Sequence, residues 1–356
     1  MWVEPSLDWR RQWLTRIGWR KREPSQGQGS LDVLERNRWY ADLYRPRFLR
    51  RAIRGARYQL AREQLLARGA QRIALYLWRP EFADALDLVQ HDFSCYHIDD
   101  EYTFSKTAQA NTPAEVALIR RVDQVIVHSQ RLLEKKGGIN PRMARVPNGV
   151  DFAAYAAQRS EPADLAAIPH PRVGYVGVIK AQLDLDLMYE LAVQRPQASF
   201  VFVGPVGFLG PKTATWQRLT ALPNVYALGN RPVGDLPAYT QHLDVCTMCY
   251  EVTDYTNAIF PLKLNEYLAA GRPVITSRID SVLPFHDVVQ IATTRDSWLS
   301  AIDEALAAPA RSSAKAAARQ SVARTYDWNP LVEQVAEIFE PRDAGTTVHG
   351  DLARAS

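Results

Sequence analysis

Lys263 and Glu266 interrupt an otherwise apolar design in the stretch "FPLKLNEYLAAGRPVITS", residues 260–277, and are the first candidates for chemistry. The stretch reads as a short helix that opens after Pro261, is apolar at Leu264, Tyr267 and Leu268, closes at Gly271, and runs straight into a β-rich segment. Three residues apart, the cation and the carboxylate share one helix face in the first turns. There the helix dipole is positive and backbone N–H groups lack intrahelical acceptors. A cation beside free N–H donors suits an anionic ligand. The competing explanation is a solvated Lys–Glu pair beside a helix start, which is common and weak. A second spacing, Cys246-x-x-Cys249, has the form of a metal or redox motif. No second ligand pair follows it, however, and "LDVCTMCY" (243–250) reads as a buried strand.

The elements that must position these residues follow from the rest of the chain. Its 356 residues suffice for two ordinary domains, and a composition of 47% hydrophobic and 23% charged residues supports a sizeable core. Short β-rich runs at 72–78, 94–99, 124–129 and 144–148, separated by helical patterns, suggest one parallel-sheet domain. A polar segment at 156–171 precedes a second series at 172–179, 199–206, 224–229, 243–250, 272–277 and 288–292. These runs are continuously apolar, as strands buried on both faces of a doubly wound sheet must be. The expected organisation is an N-terminal domain over 1–160, a C-terminal domain over 170–325, a helix at 326–340 packing back on the first domain, and a frayed tail over 341–356. Three cysteines are too few for a disulfide framework. No run of about 18 apolar residues and no signal-peptide core is present, so the expected location is cytoplasmic.

Five segments in order carry a resemblance: "RVPNGVDFAAY" (145–155), "VGYVGVI…LDLMYELA" (173–192), "FVGPV" (202–206), "LPNVYALGNRPVGDLPAY" (222–239) and "PLKLNEYLAAGRPVI" (261–275). Together they resemble retaining glycosyltransferases of the GT-B fold, family-4 type, among them bacterial cell-surface polysaccharide enzymes of the teichuronic-acid kind. The resemblance runs from about residue 95 to 330. It implies two Rossmann-like, doubly wound α/β domains facing a cleft in which a nucleoside-diphosphate sugar binds. It also implies transfer of that sugar, with retention, to a glycan or lipid-linked acceptor in envelope or exopolysaccharide synthesis. On this likeness Glu266 would accept hydrogen bonds from the ribose hydroxyls. Lys263, Leu262 and the helix start would face the diphosphate, whose negative charge grows as the glycosidic bond breaks. Gly177, Lys180 and Gly204 would lie along the phosphates, and the backbone near Val233, in "GNRPVG" (229–234), would cradle the base. In "CYHIDDEYTF" (95–104), Asp99 or His97 would position the acceptor hydroxyl or the sugar, and Lys263 completes the catalytic candidates. The alternative there is helix capping by Asp99 and Asp100. Paired aspartates also suggest a Mg²⁺ site, but metal-dependent glycosyltransferases of that kind use another fold, so no metal is expected and no cofactor beyond the donor.

The departures from the family pattern are specific. Where many relatives carry a second glutamate, eight positions before Glu266, this chain has Ala258. Where many carry an arginine after the first glycine of the second domain, Gly177 is followed by Val178, and the nearest cation is Lys180. "MWVEP" resembles the end of a relative's second strand, so either the start is late or the N-terminal domain is abbreviated. These departures keep two other functions open: a nucleotide-sugar epimerase of the same fold, which would need no acceptor, and a catalytically inactive nucleotide-binding partner of a glycan assembly complex. A dinucleotide dehydrogenase is disfavoured because no G-x-G-x-x-G links a strand to a helix.

Charge is uneven. Residues 10–72 hold 17 Lys or Arg against 5 Asp or Glu, although the whole chain is only +4. Within this region 44–69 reads as a helix after Pro46, with Leu49, Ile53, Ala56 and Leu60 as an apolar stripe among arginines and with Trp9, Trp13, Trp19 and Trp39 upstream. The pattern suits peripheral binding to the anionic inner face of a membrane. An arginine-rich solvated helix is the alternative, and no nucleic-acid motif accompanies the charge, so no nucleic-acid partner is expected.

Overall fold

The computed structural model describes residues 2–3, 33–34, 47–101 and 112–340. The upstream tryptophans and the tail beyond 340, for which fraying is expected, lie outside the described residues. Two compact units are present. One is built on Met1–Ile98, Asn111–Ile126 and Ile139–Met143, the other on Asp99–Ala110, Val127–Gly138 and Ala144–Ser356.

A short parallel pair joins β1 (Trp2–Val3) to β2 (Val33–Leu34). A four-stranded sheet follows in the order β3 (Ala74–Leu77), β4 (Phe93–Ile98), β5 (Gln124–Val127) and β6 (Met143–Arg145). Its interior is what the apolar runs require: Cys95, Tyr96, Val125 and Ile126 are fully buried. Polar side chains hold the strand connections. The Ser94 hydroxyl donates to Asp123 at 2.7 Å, and Asn140 donates to the carbonyls of Ile119 and Val122 at 2.7 and 3.0 Å.

The second unit holds six parallel strands: β7 (Arg172–Val176), β8 (Ser199–Val203), β9 (Val225–Gly229), β10 (Val245–Met248), β11 (Val274–Ser277) and β12 (Gln290–Ala292). Their spatial order is β12-β11-β10-β7-β8-β9, so the sheet grows outward in both directions from β7 and β10. That reversal is the topological switch point of an open α/β sheet, where ligands bind beyond the carboxyl ends of the strands. Residues of β7, β8, β10 and β11 are buried without exception, as the continuous apolar runs demand. Cys246 and Cys249 belong to this core; both are free thiols, and burial pushes Cys246 up to about 12. Several apolar runs extend past the true strand ends. Gly177 and Gly204, with φ of +145° and +143°, stop β7 and β8 where the hydrophobic pattern continues.

The basic segment forms a helix over Arg47–Ala67, and its packing explains part of the local charge. Arg57 is buried, Arg54 donates to Asp84 at 3.1 Å, Gln59 donates to the Leu88 carbonyl, and Arg62 donates to Gln90. Leu49 and Leu60, the ends of the expected apolar stripe, are instead exposed, as is Ala56.

Candidate active site

Gly177 ends β7 and Gly204 ends β8, and the two backbones touch. A Cβ on Gly204 would lie 2.1 Å from the Gly177 carbonyl oxygen, and one on Gly177 would lie 2.0 Å from Cε of Lys263. Two glycines are therefore needed for the strand ends to close on each other and for the lysine chain to lie across them. The Lys263 ammonium stands 5.5 Å from the centre of the Tyr175 ring, a cation–π contact near the end of β7. Beyond the glycines the two loops zip together, Ile179 N–H to Pro205 O at 3.0 Å and Gly207 N–H to Ile179 O at 2.8 Å. Lys212 staples them by donating to the carbonyls of Ala181 and Leu183.

The lysine comes from the helix Leu262–Ala269, whose N-cap, Pro261, gives no side-chain cap. Most other helices of this unit are capped, by Asp151, Asp184, Thr253, Thr294, Ser312 and Asp327. Two side chains fix where this helix points. Tyr267, fully buried, accepts from Val176 N–H at 2.9 Å and so binds the helix to the end of β7. Asn265 donates to the Asn148 carbonyl at 3.0 Å, while Asn148 donates to the Phe260 carbonyl at 2.8 Å, tying the helix to "VPNGVD". One turn on from Lys263, Glu266 is half-buried. Burial raises its carboxyl pKa, and the Lys263 charge and the Tyr155 hydroxyl oppose that rise. Lys263 and Glu266 do not approach within the 4.0 Å of an ion pair, so the solvated-pair alternative is not the geometry found.

The structure thus brings together Gly177, Gly204, Lys263 and Glu266. Lys180 lies exposed on the zipped loop, with its Cγ against Gly207, and Leu262 is exposed in the first helical turn. Val233 is exposed at the start of a 3-10 turn; the loop before it is pinned by Arg231, which donates to Tyr239 and Asp164. His97 is hydrogen-bonded to the Tyr76 hydroxyl, and the exposed Asp99 meets Nε2 of His128 through its carbonyl, at 3.1 Å. It is the neighbouring Asp100 whose carboxylate accepts from Tyr255, at 3.3 Å. Asp100 also accepts from Glu101 N–H at 2.7 Å. The position lacking a second glutamate, Ala258, is 1% exposed, and its carbonyl accepts from Ser129 at 2.6 Å.

Residues 170–310, which hold Gly177, Gly204, Val233, Lys263 and Glu266, match the family described as Glycosyl transferases group 1. The similarity to that family lies in this stretch of the chain. TuaH of Bacillus subtilis (strain 168), assigned as a teichuronic acid biosynthesis glycosyltransferase, is 31% identical over 234 residues, covering 62% of this chain and 58% of TuaH. The chain therefore aligns with little more than half the length of that relative. Among solved structures, HepE of Anabaena in complex with UDP and glucose has 18% identity and a TM-score of 0.62, covering 74% of this chain and 77% of HepE. A glycosyltransferase of Rickettsia africae ESF-5 has 12% identity and a TM-score of 0.64, covering 86% and 83%. The expected α/β fold with two Rossmann-like sheets, shared with GT-B glycosyltransferases, is what the four- and six-stranded sheets display.

Sequence reasoning missed Tyr155, Tyr267 and Asn265 around Lys263 and Glu266. Tyr267 was legible only as an apolar helix position, and its hydroxyl has no local signal. Tyr155 and Glu266, which influence each other's titration, come from two helices distant in sequence.

Proposed function

We propose that this chain is a glycosyltransferase that moves a sugar from a nucleoside-diphosphate sugar to a glycan or lipid-linked acceptor, with retention, in envelope polysaccharide synthesis. The observation that supports it most is the ammonium of Lys263, laid across Gly177 at an uncapped helix start beside the switch point, with Glu266 one turn away. A diphosphate leaving group gains negative charge as the glycosidic bond lengthens. The lysine and the first helical N–H groups are fixed donors aimed at that charge, and need no reorganisation as it appears. Glu266 accepts from the ribose diol, Leu262 and the Gly204 strand end flank the phosphates, Lys180 adds a second cation, and the loop at Val233 meets the base. Asp99 and His97 serve the acceptor side. In this reading the lysine and the helix supply the positive field and no metal takes part, so turnover is expected to persist in chelator.

Two measurements test it. Nucleoside diphosphates are expected to raise the melting temperature, a ligand at 100 times its Kd adding about 2.7 kcal/mol; no response to UDP, GDP, ADP or dTDP removes the donor site. Lys263→Ala is expected to lower turnover by more than it lowers donor affinity, because the charge it meets is greatest in the transition state. The buried Ala258 favours a second reading, a nucleotide-binding partner without turnover. Tight nucleotide binding with donor hydrolysis only at background rate selects that reading.

A further inference from the structure

At the opposite end of the second sheet, where β11 and β12 begin, lies a cavity of about 260 Å³. Pro273 and Val274 supply one wall, Val288, Val289 and Gln290 a second, and the helix Ser313–Arg324 a third, through Lys315 and Arg319. Arg319 is only 7% exposed. It donates to the carbonyls of Ala310 and Gly271 at 2.9 and 3.3 Å, while its Nε–H is buried without an acceptor. Among the described residues no carboxylate pairs with it. Burial disfavours its charge above all, and the cation Arg272 nearby, whose Nε is likewise buried without an acceptor, disfavours it further. A buried guanidinium without a counter-ion is costly, and an anion beside it offsets that cost. Lys315 stands one helical turn away on the same wall and is exposed, with no carboxylate within ion-pair distance among the described residues. His286 adds a third titratable group. The one acid in the lining, Asp287, is mostly solvent-exposed and sits 3.3 Å from that histidine.

We propose that this cavity is an anion site for a small phosphate-bearing ligand, separate from the donor site because it opens at the amino ends of the strands. Its size admits orthophosphate or a phosphate monoester of one sugar ring, and it is too small for a whole nucleotide sugar. The guanidinium supplies a directed N–H donor and the lysine a mobile charge, the two forms of phosphate recognition that protein cations offer.

The test uses the full chain and inorganic phosphate as the probe, titrated by thermal shift against chloride at matched ionic strength. Wild-type protein is expected to show a saturable, phosphate-specific rise in melting temperature. Lys315→Gln should weaken that response about three- to tenfold, as expected for losing one partly solvated charge-assisted contact. The Lys315 side chain makes no hydrogen bond that holds the fold, its backbone N–H alone donating to Ser312, so this variant keeps the test sound if Arg319→Gln fails to fold. Lys263→Ala, at the other end of the sheet, should leave the phosphate response unchanged. Absence of a phosphate-specific rise overturns the proposal. So does a response that Lys315→Gln leaves intact, or one that Lys263→Ala abolishes, since the phosphate would then be occupying the donor end.

Discussion

Glu266 sits where its own charge is disfavoured, and this separates the proposed role from that of an ordinary surface carboxylate. Its folded pKa is raised, by burial above all, so the stabilising contribution of its protonated form is complete below the unfolded value and is lost as pH rises through the folded one. Above the raised pKa the native state therefore bears a half-buried carboxylate that Glu266→Gln removes. The variant is expected to melt higher than wild type above the raised pKa, the gap closing as pH falls through it. It should also bind nucleoside diphosphate more weakly by roughly 1.5–3 kcal/mol, the range for a lost charge-assisted hydrogen bond. Thermal melts across pH, with calorimetric titration of nucleotide, measure both. A variant that melts lower above that pKa and binds nucleotide normally would mark Glu266 as a structural residue. Sequence showed this carboxylate because it broke an apolar helix pattern at a dipole-positive end. It could not show Tyr155 beside it, nor that Asp100 rather than Asp99 would meet Tyr255. Adjacent aspartates at a strand end are equivalent until the next loop is in place.

At the scale of elements the two strand-end glycines decide how closely β7, β8 and the Leu262–Ala269 helix can approach. Gly204 and Gly229 make a controlled comparison, since both have positive φ, +143° and +73°, but a Cβ on Gly229 would meet nothing within 4 Å. Gly229→Ala should therefore cost only backbone strain, about 1 kcal/mol. Gly204→Ala adds a 2.1 Å collision with the Gly177 carbonyl, which is backbone and cannot rotate away. It should cost clearly more than its partner, beyond the roughly 1–3 kcal/mol of a strained residue, and should displace Gly177 from beneath Lys263. Urea titrations of both variants rank the costs, and equal losses would mean that the two loops close without mutual contact. The strands themselves were readable because buried parallel strands leave unbroken apolar runs. Their ends were not, because a glycine inside such a run does not announce its φ. The Arg47–Ala67 helix was legible by period and proline. Which face would find a partner depended on Asp84, a residue from another element that no local pattern links to Arg54.

For the whole molecule the question is where the surplus positive charge of residues 10–72 acts. Part of it is spent internally: Arg54 pairs with Asp84 at 3.1 Å, and Arg57 is buried. Arg51 remains largely exposed, its guanidinium 4.0 Å from Asp87, and exposed Leu49 and Leu60 share the helix surface with it. Among the described residues no helix is long and apolar enough to cross a membrane. An exposed apolar stripe beside arginines favours a surface contact, in which basic side chains meet anionic headgroups and leucines enter the interface. Such binding has two components with different signatures. The electrostatic part is screened over about 10 Å at 0.1 M salt and about 3 Å at 1 M, so sedimentation with phosphatidylserine vesicles should be strong at low salt and largely lost at molar salt. The apolar part is local, so Leu60→Glu should reduce vesicle binding while leaving the melting temperature within the small range of a surface substitution. Equal binding to neutral vesicles, binding that survives molar salt, or binding indifferent to Leu60→Glu would each assign this helix to the fold alone. The acceptor would then have to reach the donor site from solution.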